Sequence, residues 1–174
     1  MESAVSGSVS LSGYTKPVKE IPAEKIDSLT RAAEGTMNLS WLGHLSELVQ
    51  MGGQNVLIDP ILTKAGKPLQ MNPLPARISA FALDIDNMPD IDVLCISHDH
   101  FDHLDYSTVT AIDGKVGAYV VPLGVDSILE GWGIDGQKIH ALAWWESVEL
   151  GGVSDTRALG SVPLRGLRLL QARR

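Results

Sequence analysis

The segment 97–105, Ser-His-Asp-His-Phe-Asp-His-Leu-Asp, contains three of the five histidines of the chain. Side chains two residues apart on a strand point the same way, so His98 and His100 at a strand end can bind one cation together. A turn after them brings Asp102 and His103 round to a neighbouring cation. Imidazole and carboxylate are ligands for zinc, manganese or iron, and a metal so held lowers the pKa of bound water toward about 7. The predicted metal ligands are therefore His98, His100, Asp102 and His103.

The same segment has a plainer interpretation as a polar turn that leads into a helix. Asp105 precedes an apolar helical pattern at Tyr106 and can act as its N-cap. From the residue frequencies of this chain, the pattern His-x-His-x-Asp-His should arise by chance in about 3 of 10,000 such sequences. We therefore favour a metal site for the four ligands and a capping role for Asp105.

The elements around this segment follow from the spacing of apolar residues. Residues 60–90 hold five of the nine prolines and indicate a long loop. Strands alternating with short helices predict an α/β, or α+β layered, domain. Gly52-Gly53 is typical of a hairpin turn between two of the strands. The predicted strands lie near 37–41, 48–49, 56–58, 91–97, 117–121 and 139–142, and the predicted helices at 26–33, 106–112 and 125–132.

Composition places the chain among globular proteins. Of its 174 residues, 44% are apolar and 20% charged, which argues against disorder. No apolar run approaches the roughly 18 residues of a transmembrane helix, and the first residues do not resemble a signal peptide. Cys95 stands alone, which fits a reducing cytoplasm. A net charge of −7 is a poor match for nucleic acid, so no nucleic-acid partner is expected.

The charge is unevenly distributed along the chain. Residues 1–150 carry nine Lys and Arg against 20 Asp and Glu, whereas residues 151–174 carry five Arg against Asp155 alone. One interpretation is a basic tail that binds an acidic surface. The other, which we favour, is a different coding origin for the tail, such as an altered reading frame.

The His-x-His-x-Asp-His segment resembles the hallmark of the metallo-β-lactamase-fold hydrolases. Further likeness between about Met37 and Gly152 is similar to the branch that contains N-acyl-phosphatidylethanolamine-hydrolysing phospholipase D. The segments that carry it are Trp41-Leu42-Gly43-His44, Leu57-Ile58-Asp59-Pro60, Ile96-Ser97-His98, Val121-Pro122-Leu123-Gly124 and Trp144-Trp145-Glu146-Ser147. The resemblance implies an αββα sandwich, of which this chain has the N-terminal half, and a site for two zinc ions.

The resemblance also implies roles for individual residues. His98 and His100 would bind the first metal and Asp102 and His103 the second, with Asp102 also orienting the attacking water as the catalytic residue. His44 matches a position near the active-site face, although a single His after Gly more often has a packing or turn role. Asp59 is expected to accept hydrogen bonds from backbone donors beneath the site. Trp144 and Trp145 suggest either lipid contact or, as we favour, a place in the core or at the domain edge.

Three further ligands that the resemblance implies are missing from this sequence. His140 is the one histidine after His103 and does not match a ligand position, and Asp155 arrives too early to be the bridging aspartate. The family likeness ends where the charge changes, which indicates a truncated or frame-shifted product. We therefore expect a loose arm at 1–35, a partial domain at 36–152 and an Arg-rich tail at 153–174.

Two functions remain open on this evidence. The first is a metal-dependent hydrolase with a phosphodiester or phospholipid substrate, phospholipase D-like and very weakly active as this chain alone. The second is a non-catalytic fragment that binds metal or associates with other chains. Peripheral membrane contact and self-association through an exposed apolar sheet face accompany either function.

Overall fold

The alternating apolar residues between 37 and 142 form the strands of one mixed sheet. The computed structural model of the chain describes residues 30–62, 83 and 85–150, and the backbone of 153–157. The strands are β1 Met37–Gly43, β2 Ser46–Met51, β3 Gln54–Ile58, β4 Ile91–Cys95, β5 Val116–Pro122, β6 Ile139–Leu142, β7 Ser147–Leu150 and β8 Val153–Arg157. The helices are α1 Tyr106–Ile112 and α2 Val125–Gly131, with short 3-10 turns at Ile85–Asn87, Asp113–Lys115 and Gly136–Lys138.

The six-stranded sheet has the order β1-β2-β3-β4-β5-β6. β1, β2 and β3 form an antiparallel meander, whose second turn contains Gly52 and Gly53 at positive φ as the hairpin prediction requires. β3, β4, β5 and β6 run parallel. The carboxyl ends of these four strands and the β1–β2 turn therefore lie at the same edge, called the C-terminal edge below.

The core lies between one face of the sheet and the two helices. Leu48, Leu57, Leu94 and Tyr119 come from four successive neighbouring strands and are fully buried. The helices contribute the fully buried apolar side chains of Val109, Ile112, Val125 and Leu129. The predicted mixed α/β fold is confirmed, and both helices after residue 100 lie where the apolar spacing predicts them. No helix among the described residues is long and apolar enough to cross a bilayer.

Two features differ from the sequence-based expectation. The predicted helix at 26–33 is wrong for residues 30–33, which are not helical, and its other residues lie outside the described part. Instead, Arg31 forms a bidentate ion pair with Asp92 on β4, with an Nη1–Oδ2 distance of 2.6 Å. The hairpin of β7 and β8 was not predicted, and β8 lies on the far side of the boundary placed at residue 152.

The predicted loop at 60–90 lies largely outside the described residues. Its last described part, from Ile85 to Met88, is attached to the domain by Lys115, whose Nζ donates to the carbonyl oxygens of Ile85, Asp86 and Met88 at 2.8–3.2 Å. The end of this loop is thus attached to the 3-10 turn that precedes β5.

Candidate metal centre

The histidine-rich segment lies at the C-terminal edge, where β4 leaves the sheet and turns into α1. Ile96 still donates its backbone N–H to Val120, and the chain then bends so that His103 and Leu104 both donate to the carbonyl oxygen of His100, at 2.9 and 2.8 Å. Asp105 closes the bend as the N-cap of α1, accepting from the backbone N–H of Thr108 at 3.0 Å. The predicted cap is confirmed, and it sets the direction in which the segment enters the helix.

Asp59, directly after β3, lies beneath this segment and orients His103. Its Oδ2 is 2.8 Å from Nδ1 of His103, and both side chains are buried. Its Oδ1 accepts the backbone N–H of Ser97 at 2.7 Å, and its Oδ2 also accepts the Ser97 hydroxyl at 2.5 Å. The expected role of Asp59 toward backbone donors is therefore confirmed. A carboxylate on one ring nitrogen leaves the other free to bind a metal, which is the usual arrangement of metal-binding histidines.

The surroundings of His98 favour its neutral form. Partial burial lowers its pKa, and the neighbouring His103 and His100 lower it further. Its ring centroid lies 4.0 Å from that of His103 and 4.4 Å from that of His100. Its Nδ1 is 2.8 Å from the hydroxyl of Ser97, which leaves Nε2 for another partner. Only neutral imidazole binds a metal, so this environment favours the ligand form.

Asp102 faces two histidines from different parts of the chain. Its Oδ2 is 3.8 Å from Nε2 of His103 and 3.2 Å from Nε2 of His44. Single donor atoms of these three residues all lie within 4.8 Å of one another. Two imidazoles and one carboxylate that converge in this way form a donor set suited to a divalent cation.

The rings of His98, His100 and His103 form one cluster, and Asp102 and His44 lie beside His103. In the described part of the chain, the donor atoms that converge within 4.8 Å are those of Asp102, His103 and His44, and those of His98 and His100 do not join this group. His44 lies in the β1–β2 turn, in agreement with the turn role that sequence reasoning favoured. Its half-exposed side chain also faces Asp102, as its match to a position near the active-site face implied. In the sequence, the signal for this position of His44 was that Gly43-His44 belongs to a segment that resembles the family. Among the described residues, His140 lies on β6 outside this cluster.

Comparison with known proteins gives relatives and a family. The chain matches the family model described as a beta-lactamase superfamily domain over residues 54–169. An uncharacterized protein of Mycobacterium tuberculosis is 33% identical over 137 residues, covering 78% of this chain and 36% of that protein. The N-acyl-phosphatidylethanolamine-hydrolyzing phospholipase D 1 of Caenorhabditis elegans is 31% identical over 147 residues, covering 78% of this chain and 38% of the relative. The chain thus spans little more than a third of the length of these curated relatives.

A solved structure shares the fold. The diiron beta-hydroxylase CmlA of Streptomyces venezuelae superposes with a TM-score of 0.52 at 24% identity, covering 69% of this chain and 23% of that one. The family match includes β3, β4 and the whole histidine-rich segment and continues past Gly152. From this match we conclude that the chain belongs to the metallo-beta-lactamase superfamily of metal-dependent hydrolases.

Proposed function

We propose that the cluster at the C-terminal edge binds divalent metal and supports hydrolysis of a phosphodiester. The observation that carries the proposal is the orientation of His103. Its Nδ1 is bound to the buried carboxylate of Asp59, so its Nε2 is directed toward Asp102. The proposed ligands are His98, His100, Asp102 and His103.

Zinc is the metal we propose. Nitrogen-rich sets with one carboxylate suit zinc, and manganese and iron are the alternatives that the same donors accept. A bound divalent metal supplies Lewis-acid stabilisation of developing negative charge and makes water a better nucleophile near neutral pH. Elemental analysis of protein expressed in medium that contains both zinc and iron measures which of the two metals the site prefers.

Asp102 is the catalytic residue of this proposal. Its side chain is part exposed at the site, so a water molecule can reach the carboxylate. An ionised carboxylate accepts a hydrogen bond from that water and directs an oxygen lone pair toward the phosphorus atom. The histidines and Asp59 then serve to keep Asp102 and the metal in place.

We further propose an N-acylated phospholipid as the substrate, because a 31%-identical relative bears the name of a phospholipase that hydrolyses such lipids. The surface near the site suits this substrate. Large apolar side chains are exposed in four loops of the C-terminal edge, and Trp145 is 80% exposed. We call this set the apolar rim; it consists of Leu45, Phe101, Leu123, Trp144 and Trp145.

The apolar rim supports peripheral contact with a bilayer from the cytoplasmic side. Tryptophan favours the membrane interface because its ring is apolar and its N–H is polar. We expect the double variant W144A/W145A to cosediment less with phosphatidylcholine vesicles than the unaltered chain. Met51→Ala, an exposed apolar residue at the opposite edge of the sheet, is the matched control and should cosediment normally.

Hydrolysis is tested with the zinc-loaded chain and fluorescent N-acyl-phosphatidylethanolamine in mixed micelles. We expect slow release of phosphatidic acid that is lost in H98A/H100A and retained in His140→Ala. Equal rates for the unaltered chain and H98A/H100A would show that the site does not carry the reaction.

A non-catalytic module is the second candidate. It is favoured by an exposed apolar face of β1. Met37, Leu39 and Trp41 occupy alternate positions of this strand, lie on the same side of it and are exposed. We infer self-association through this face, measured by sedimentation equilibrium of the unaltered chain and Leu39→Lys. Tight zinc binding without turnover, together with a dimer that Leu39→Lys dissociates, would favour the module over the hydrolase.

A further inference from the structure

The β1–β2 turn brings a further histidine to the metal cluster. We propose that His44 is the third ligand of the cation bound by Asp102 and His103. This inference rests on the proposed function, because it concerns the same metal centre. It adds a ligand from β1–β2, an element that precedes the histidine-rich segment by more than 50 residues.

The positions of the donor atoms support a shared cation. Oδ2 of Asp102 is 3.2 Å from Nε2 of His44 and 3.8 Å from Nε2 of His103. Around tetrahedral zinc with bonds of about 2.0–2.1 Å, neighbouring donor atoms are about 3.3 Å apart. The observed distances are close to this value, so a cation that binds Asp102 and His103 also lies within reach of His44.

The backbone of the turn is held in the conformation that presents His44. Gly43 and His44 have φ of +101° and +51°, and the indole N–H of Trp41 donates to the carbonyl oxygen of His44 at 2.8 Å. Left-handed φ is unfavourable for a residue with a side chain and is accepted where the surrounding contacts enforce it. The turn therefore presents an imidazole at a position whose backbone would suit glycine.

A second contact couples this turn to the residues that hold His103. Ser46, the residue paired with Gly43, donates its hydroxyl to the carbonyl oxygen of Asp59 at 2.8 Å. The hydroxyl also accepts the backbone N–H of Ile61 at 2.9 Å. The turn that carries His44 and the ring of His103 are thus both held by buried hydrogen bonds to Asp59.

The contrasting explanation is a hydrogen bond from His44 to Asp102 with no bond to metal. Glutamine separates the two, because its amide nitrogen reaches about as far as Nε2 of histidine and can donate to a carboxylate, but the amide is a poor zinc ligand. Glycine adopts left-handed φ readily, and glutamine replaces another residue with a side chain in the same exposed turn, so His44→Gly and His44→Gln are expected to fold. His140→Ala is the matched control, since His140 lies on β6 outside the cluster.

The experiment measures zinc affinity of the metal-free chain by competition with a colorimetric chelator. The same titration of Asp102→Ala first shows which bound zinc ion requires Asp102. We expect His44→Gly and His44→Gln each to weaken binding of that same zinc by at least about 10–100-fold, the loss that follows when an outer-shell partner of a ligand is removed. We expect His140→Ala to leave it unchanged. Thermal unfolding of the metal-free variants confirms that they are folded.

The other outcomes overturn the proposal in distinguishable ways. Normal affinity in His44→Gln with reduced affinity in His44→Gly would assign His44 a hydrogen-bonding role only. Normal affinity in both variants, with zinc still lost in Asp102→Ala, would leave the proposed metal centre intact and remove His44 from it. If the unaltered chain binds no zinc, the proposed function and this inference both fail.

Discussion

At the scale of single residues, Asp59 matters to the site because it orients a proposed ligand, His103, and not because it binds metal itself. It lies directly after β3, has φ of +41°, and accepts from Ser97 and His103 through both carboxylate oxygens. A buried carboxylate is costly unless its lone pairs are satisfied, and here they are. Asp59 therefore sets which nitrogen of His103 faces the metal position.

Removing the charge of Asp59 should weaken metal binding without removing a ligand. Asp59→Asn keeps the shape and tolerates the positive φ, but it binds the imidazole N–H less strongly than a carboxylate does. We expect zinc affinity to fall about 10–100-fold, measured by chelator competition. Asp99→Asn makes the same change of charge within the histidine-rich segment and should alter affinity much less. Equal effects of the two substitutions would mean that only the net charge matters.

Cys95, the last residue of β4, has a thiol whose pKa is shifted by its surroundings. Burial, with a smaller effect of the negative charge of Asp59, raises the pKa of the Cys95 thiol to about 12 from an ordinary 9.0. The protonated thiol is thus favoured in the folded state, so its contribution to stability is full below pH 9 and is lost as the pH rises toward 12.

This shift predicts an alkaline difference between the unaltered chain and Cys95→Ala. Between pH 9 and 12 the free energy of unfolding of the unaltered chain should fall more steeply, by up to about 1.4 kcal/mol per pH unit. Urea unfolding at several pH values measures the difference. Parallel pH profiles for the two proteins would contradict the assigned pKa.

At the scale of elements, α1 and the segment before it are held by one capping residue. Asp105 accepts from the backbone N–H of Thr108 at 3.0 Å and from its hydroxyl at 2.6 Å, and both residues are buried. The Thr108 hydroxyl in turn accepts the backbone N–H of Leu62 at 2.9 Å. The start of α1 thus connects the histidine-rich segment to Leu62, in the chain that follows β3.

Loss of this cap should be measurable as stability. We expect Asp105→Ala to lower the free energy of unfolding by about 1–2 kcal/mol, because a helix cap is lost and the hydroxyl of Thr108 loses its acceptor. Urea unfolding measures the change, and Asp105→Asn, which can still cap, should lose less. Ser127→Ala at an exposed position on α2 is the control and should change stability little.

The ion pair between Arg31 and Asp92 attaches residues 30–33 to the sheet. Burial alone would raise the pKa of Asp92, but hydrogen bonds from Arg31 and Asn55 outweigh it and lower that pKa below its usual value. The Arg31 side chain is 45% exposed, so solvent screens much of the attraction.

A lowered carboxyl pKa stabilises the fold above the ordinary pKa near 3.8 and loses this effect as the pH falls further. We expect Asp92→Asn to cost about 0.5–1 kcal/mol at pH 7, the range of exposed pairs. The cost should shrink at pH 3, because the carboxyl is then largely protonated in the unfolded state, whose pKa is the ordinary 3.8. Chemical unfolding at the two pH values measures this, and an equal cost at both would show that charge is not the cause.

At the scale of the whole molecule, metal binding and folding should be coupled. The cluster joins the β1–β2 turn, the end of β3 and the segment between β4 and α1, so unfolding separates the donors. A ligand that binds the folded state alone stabilises it, by about 2.7 kcal/mol at a concentration 100 times the dissociation constant.

We therefore expect zinc to raise the thermal midpoint and a chelator to reverse the rise. H98A/H100A should lose most of this response, whereas His140→Ala should respond like the unaltered chain. Differential scanning calorimetry provides the measurement. An equal rise in H98A/H100A would show that the zinc response depends on donors other than His98 and His100.

Local sequence patterns determined much of the fold of this chain. Alternating apolar residues predict β1 through β6, helical spacing predicts α1 and α2, and Gly52-Gly53 predicts the β2–β3 turn. The ligand spacing from His98 to His103 and the cap at Asp105 also follow from neighbouring residues. In each case the residues that define the feature are close in sequence, so their geometry depends on local backbone preferences.

Only the tertiary structure decided which distant side chains meet at the site. Asp59 and His103 are 44 positions apart and His44 and Asp102 are 58 apart. Their contacts depend on β3 pairing parallel with β4 and on the turn register in which Gly43 pairs with Ser46. A slip of one residue in a strand would direct its side chains to the opposite face of the sheet. Spacing along the chain therefore identifies the candidate ligands, while strand order and register select Asp59 and His44 as their partners.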